Sequence, residues 1–241
     1  MGPAEYVAHL RADGGRLADV ADGNLDARVP SCPEWNVADL VWHTGAVHRF
    51  WAEVVRTNAQ AVAGPPALER PSAGALVDWF RDGLEQSAQT LEGADPATPI
   101  WTWTSTDDTA GWVQRRMAQE TAVHRWDAEV ASGQTTGVDH QLAVDGIDEF
   151  LDIFLPEADG ARAFGTGTIH LHTTDGDGEW LLTVDGSDVR VERGHVKGDV
   201  AVRGPASDLL LMLWRRLPPD GLDVLGDGSV LDHFLAAVAI D

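Results

Sequence analysis

Glu120 and His124 stand four residues apart in QETAVHRWDAE. On a helix that spacing sets a carboxylate and an imidazole one turn apart on one face, as two ligands of a shared metal ion must be. Asp127, three residues beyond His124, is placed to hold the second ring nitrogen. A second pair of histidines, His43 and His48, lies in WHTGAVHR. At i and i+5 their side chains diverge by about 140° around a helix, so at most one of them faces the same interior point. One neutral histidine from that segment, with Glu120 and His124, makes three ligands and leaves a fourth position open, the layout of a catalytic zinc site. A fourth protein ligand, most plausibly His48 or Asp127, would make the site structural instead. The same i,i+4 spacing also serves an ordinary ion pair on a helix surface.

Other routes to chemistry are closed or weaker. No GxGxxG follows a strand, and there is no P-loop, GxSxG or HExxH. Cys32 is the one cysteine, so any metal must take histidine and carboxylate ligands. It sits in a Ser-Cys-Pro turn without a neighbouring thiolate stabiliser, and packing is its expected role. His170 and His172 share a strand face with Thr168 and together offer two further nitrogens, although such faces in small sheets are often simply solvated. Trp101, Trp103 and Trp112 bracket a loop before Glu120; they are suited to lining a pocket or, more commonly, to filling a core.

Positioning these residues requires helices first and strands later. Tyr6, Leu10, Leu17 and Val20 predict a helix over 4–22, and a second is expected over 37–58 behind an Asn36 cap. A third follows Ser72 over 73–91, a fourth spans 111–132 and stops at Gly133, and a connecting helix is expected over 140–155 before Pro156. Four long helices are the ingredients of a bundle that builds metal sites between facing helices. From Gly165 the period becomes two, with Asp-Gly pairs at 177–178 and 185–186, which predicts an antiparallel meander. A helix after Pro205 and another near 229–238 complete a small α+β unit. The expected division is a helical domain over 1–158 and an α+β domain over 159–241.

Across its 241 residues the chain carries 39 acidic against 17 basic side chains, a net charge of −22, and its single lysine is Lys197. Such a surface disfavours binding to nucleic acid or an anionic membrane. No apolar run approaches the roughly 20 residues that span a bilayer, and MGPAEYVAHLRADGG lacks the basic segment and apolar core of a signal peptide. A cytoplasmic location is the expectation.

The stretch VPSCPEWNVADLVWHTGAVHR together with ETAVHRWDAEVASG strongly resembles the N-terminal helical domain of the mycothiol-dependent maleylpyruvate isomerase family, within the DinB-like metal-dependent bundle superfamily. The strands of 166–203 and VAVRGPASDLLLMLWRRL resemble the family's smaller C-terminal domain, so nearly the whole chain is covered. The resemblance implies a divalent metal, zinc first, on His43, Glu120 and His124. It also implies mycothiol as thiol cofactor or cosubstrate, bound to the metal through its sulfur and so deprotonated. In an isomerase the thiolate would add to an activated double bond of a small-molecule electrophile, permit rotation and leave; in an S-transferase it would stay attached. Arg216 matches a position where the family often has arginine near the site, suited to a substrate carboxylate, with Arg215 competing for the assignment. A metal-dependent hydrolase using bound hydroxide and a non-catalytic small-molecule-binding protein are the alternatives.

Overall fold

The structure, a computed structural model, describes residues 1–65, 67–104, 106–157 and 163–238. It divides into two compact units, Met1–Thr136 and Gly137–Asp241. The junction expected at 158/159 lies outside the described residues.

The first unit is a bundle of α1 (Pro3–Ala21), α2 (Val37–Thr57), α3 (Ala73–Glu92) and α4 (Ala110–Ala131). Pro3 opens α1 where its missing N–H costs nothing, and the Glu5 carboxylate accepts the Gly2 N–H at 2.6 Å. Asn36 and Asp39 cap α2 reciprocally: Asn36 Oδ1 accepts the Asp39 N–H at 2.9 Å, and Asp39 Oδ2 accepts the Asn36 N–H at 3.1 Å. α2 ends on Asn58, held left-handed at φ 47°. The side chain of Ser72 makes no capping bond to α3, whereas Thr109 Oγ1 caps α4 by accepting the Trp112 N–H at 3.3 Å. α1 packs on α3 and α4, and α2 packs on the same two helices. Leu10, Leu17, Leu40, Phe80, Leu91 and Met117 fill the core between them, and each is almost completely buried. Cys32 packs at the margin of this core.

α4 departs from an amphipathic pattern because it is buried on nearly every side, charged residues included. Glu129 accepts from Arg16 at 2.7 Å and from Arg125 at 3.0 Å, and Arg125 also reaches Asp13 at 3.0 Å. These partners satisfy the buried charges of the helix.

The second unit opens with α5 (His140–Glu149), which runs through a π-helical turn at Phe150–Phe154 into the short α6 (Leu155–Glu157). The expected connecting helix therefore belongs to this unit, where α5 packs on α7 (Ala206–Leu213). A five-stranded sheet follows, with β1 (Thr166–Thr173), β2 (Glu179–Asp185), β3 (Asp188–Arg193), β4 (Val200–Gly204) and β5 (Asp223–Gly226) in the order β3-β2-β1-β4-β5. The first three strands form the expected meander, and the β2–β3 turn places Gly186 at φ 64°. The sheet is mixed, however, because β4 pairs parallel to β1. Asp199 fixes that pairing: its carboxylate accepts the Thr168 N–H at 2.8 Å and hydroxyl at 2.7 Å, and its N–H returns to the Thr168 carbonyl at 3.0 Å. β5 pairs antiparallel with β4 on the outer edge, and α8 (Gly228–Ala237) closes the unit. Among the described residues no helix is long and apolar enough to cross a membrane.

Candidate metal centre

α2 and α4 bring His43, Glu120 and His124 together inside the first unit. One ligand atom from each lies within 4.8 Å of those of the other two. Glu120 Oε1 is the shared focus, 3.3 Å from His43 Nε2 and 3.1 Å from His124 Nε2. Bonds of about 2.0–2.2 Å from a tetrahedral ion to nitrogen and oxygen separate neighbouring donors by about 3.3–3.6 Å; the His43–Glu120 separation matches that spacing and the His124–Glu120 separation is slightly shorter, so an ion entering the group would spread it only a little.

Outer partners hold two of the three. Asp127 Oδ2 lies 3.0 Å from His124 Nδ1, which leaves Nε2 directed at Glu120, and Asp127 Oδ1 accepts the Ser31 hydroxyl at 2.6 Å. Arg116, one turn before Glu120, donates to Oε2 at 3.1 Å and leaves Oε1 for the histidines. The turn before α2 supplies both Ser31 and Trp35, whose ring lies 4.9 Å from that of His43 and 6.4 Å from that of His124. That turn is tied down by Val29 N–H to the Trp35 carbonyl at 3.1 Å and Trp35 N–H to the Cys32 carbonyl at 2.8 Å.

Electrostatics follow from this packing. Burial by itself would strip the proton from His124, but the Glu120 charge and the contacts to Asp127 and Glu120 raise its pKa to about 9. Burial would likewise raise Glu120, yet the His124 charge, the contacts to both histidines and Arg116 hold it well below the usual carboxylate range. Without an ion, the cluster is a carboxylate sharing a proton with imidazole; a metal ion bound here would have to take the place of that proton.

His48 faces away, as the i+5 spacing requires. It is fully buried, its Nε2 lies 2.8 Å from Thr121 Oγ1, and its ring sits against Phe80. Burial takes its pKa down to about 3. Asp127 stands behind His124. Among the described residues neither of these two possible fourth ligands joins the cluster, which fits an open position.

A cleft of about 670 Å³ meets the centre at His43, with Trp35, Trp42, Val47, Phe50 and Leu68 on its walls and Glu34 and Asp39 at its polar side. The tryptophans expected before α4 do other work. Trp51, Trp101 and Trp112 pack together, with centroids 5.8 Å apart for Trp51–Trp101 and 5.0 Å for Trp51–Trp112. Trp103 lies against Trp112 and is exposed. The sequence reading missed Trp35, Ser31 and Arg116. The i,i+4 spacing of Arg116 to Glu120 was the available signal for one of them, while the other two reach the site only through the turn.

Arg216 lies in the second unit just beyond α7, half-buried, and donates to the Trp214 carbonyl at 2.9 Å. Arg215 beside it is exposed, in the left-handed region at φ 61°, and donates to the Leu235 carbonyl.

A family model described as the mycothiol maleylpyruvate isomerase N-terminal domain matches residues 7–129, and one described as the MDMPI C-terminal domain matches 141–233. Among solved structures, a mycothiol-dependent maleylpyruvate isomerase crystallised as a histidine-to-alanine mutant is similar, with a TM-score of 0.61 at 10% identity over 93% of either chain. At that identity the likeness is one of fold. No curated protein matches the chain.

Proposed function

The chain belongs to the mycothiol maleylpyruvate isomerase family, and from that premise we propose that it is a metal- and mycothiol-dependent enzyme, an isomerase or S-transferase that joins a thiolate to an electrophilic carbon of a small molecule. The observation that carries the metal assignment is the convergence of His43, Glu120 and His124 within 4.8 Å, beside an aromatic cleft. A divalent ion there, zinc first by its ligand set, supplies the Lewis acidity that lowers the pKa of a thiol enough to make it a nucleophile at neutral pH.

The protein's own groups set the conditions for that chemistry. Asp127 keeps the Nδ1 proton of His124 and presents Nε2 as a lone pair. Arg116 anchors the second oxygen of Glu120, so the carboxylate offers one oxygen in a fixed place. Trp35, Trp42 and Phe50 give the cleft an apolar lining that excludes water from one side of the cluster. Arg216 is the proposed anchor for a substrate carboxylate, a role supported by the family resemblance of LWRRL and by the fork geometry of guanidinium.

Metal content after dialysis tests the ligand set. Wild type is expected to keep an equivalent at the centre, and His43→Ala and His124→Ala to lose it while remaining helical by circular dichroism. Full retention in His124→Ala would overturn the assignment. Turnover of an electrophile without added thiol would move the reading to a hydrolase of the same fold.

A further inference from the structure

A second group of metal-type ligands lies in the second unit, on the sheet. β1 carries His170 and His172 on one face, and the register pairs His172 with Glu179 of β2. Leu171 pairs with Trp180, whose indole N–H reaches Asp148 of α5 at 2.7 Å. By strand alternation, the two histidines and Glu179 therefore project from the sheet face opposite that helix. His195 arrives from the segment after β3, which stays beside β2 through the Gly194 N–H to the Glu179 carbonyl at 3.1 Å.

The four side chains converge. Glu179 Oε1 lies 2.9 Å from His172 Nδ1, and Glu179 Oε2 lies 2.8 Å from His195 Nδ1 and 3.4 Å from His170 Nε2. The three imidazole rings stand 5.4–6.1 Å apart. One ligand atom from each of the four lies within 4.8 Å of all the others.

Hydrogen bonding accounts for only part of this arrangement. Glu179 can accept from His172 and His195, but Nε2 of His170 makes no hydrogen bond, although the residue is only 6% exposed. A nearly buried ring nitrogen that faces three other ligand-type side chains and has only a 3.4 Å contact to Glu179, outside hydrogen-bond geometry, is poorly satisfied, and a cation at the centre of the group would satisfy it.

We propose that His170, His172, Glu179 and His195 form a second metal site, distinct from the His43–Glu120–His124 centre, that takes a divalent transition ion such as zinc. Three imidazoles and one carboxylate fill all four positions of a tetrahedral ion, so the site is closed and acts as a staple. It ties β1, β2 and the segment after β3 together, adding to the Gly194 N–H bond and the exposed His195 contact to Glu179 that hold that segment. The donor set excludes magnesium and calcium, which take oxygen ligands.

The test uses the full chain, stripped with a chelator and titrated with Co²⁺ as the probe, with visible absorption reporting geometry and elemental analysis the stoichiometry. His124→Ala isolates the sheet site, and His195→Ala, at a side chain 79% exposed, removes one sheet ligand without threatening the core. The expected result is that folded His124→Ala still binds one equivalent with the intense bands of tetrahedral cobalt. Adding His195→Ala should weaken that binding at least about tenfold, the lower end of what loss of an outer-sphere partner alone costs. Binding by His124→Ala that His195→Ala and His172→Asn leave unchanged would overturn the proposal, as would no binding at all. Two equivalents in His124→Ala, as many as in wild type, with one of them lost on adding His195→Ala, would uphold the sheet site while refuting the ligand set in the bundle.

Discussion

Asp127→Asn isolates the part of the bundle centre that the protein, rather than the ion, contributes. Asparagine keeps the shape and can still bond Ser31 and His124, but it removes the buried negative charge facing His124 Nδ1. Two effects follow, with opposite signs. The imidazole becomes a poorer and less firmly oriented ligand, which typically weakens metal binding about 10- to 100-fold, or about 1.4–2.7 kcal/mol. The proton that the metal must displace is also held less tightly. With His124 raised to about 9, that proton costs wild type about 100-fold in affinity at pH 7, and apparent affinity should climb about tenfold per pH unit until pH 9. In Asp127→Asn the climb should end at lower pH. The two proteins should thus differ little at pH 7 and by the full 10- to 100-fold above pH 9, which competition against a chromogenic chelator across that range can measure. Identical plateaus, or a plateau pH unchanged by the substitution, would refute the role given to Asp127.

His48, neutral in the fold with its pKa near 3 against about 6.5 unfolded, makes the unfolded state bind the extra proton between those values. Stability should therefore fall below pH 6.5 by about 1.4 kcal/mol per unit, or about 2.7 kcal/mol by pH 4.5, and His48→Gln should remove that share of the slope in urea unfolding. Glu129→Ala takes from buried Arg125 one of its two carboxylate partners, Asp13 being the other, and should cost about 3 kcal/mol, the low end for a broken buried pair, in the same experiment, against a smaller loss in Glu129→Gln. At Gly45 an added Cβ would meet Trp79, whose ring is stacked on Trp42 at 4.8 Å and covered by Arg49 at 3.7 Å. Gly45→Ala should cost about 1–3 kcal/mol by overpacking, read from its denaturation midpoint.

The bundle helices were legible because periodicity and caps are local; each observed boundary falls within a residue of its expected place. Glu120 and His124 were legible for the same reason, since i,i+4 on one helix is itself a spatial statement. The choice of His43 over His48 depended on the rotation of α2 against α4, which spacing alone left open and which the resemblance identified. Contributions arriving through chain reversals were hidden. Ser31 and Trp35 reach the centre through a turn, and His195 reaches the sheet cluster across two strands. The parallel β1–β4 pair is hidden in a period-two pattern that predicts a meander, because consecutive strands carry no local mark of crossing over; Asp199, which fixes it, looks like any loop acid. β5 has four exposed residues and no alternation to detect. α5 has the periodicity of the bundle helices, which places it with them by pattern, but its partner is α7, far along the chain.

The proposed enzyme depends on a metal held by His43, Glu120 and His124 that would bind mycothiol through its sulfur. Calorimetric titration of zinc-loaded wild type with mycothiol, with glutathione in parallel, tests it most directly when run in two buffers of different ionisation enthalpy. Selective mycothiol binding with release of the thiol proton is expected, abolished in chelator-stripped protein and in His124→Ala. Mycothiol binding of equal strength in the metal-free protein, or binding to the zinc-loaded form without proton release, would contradict it.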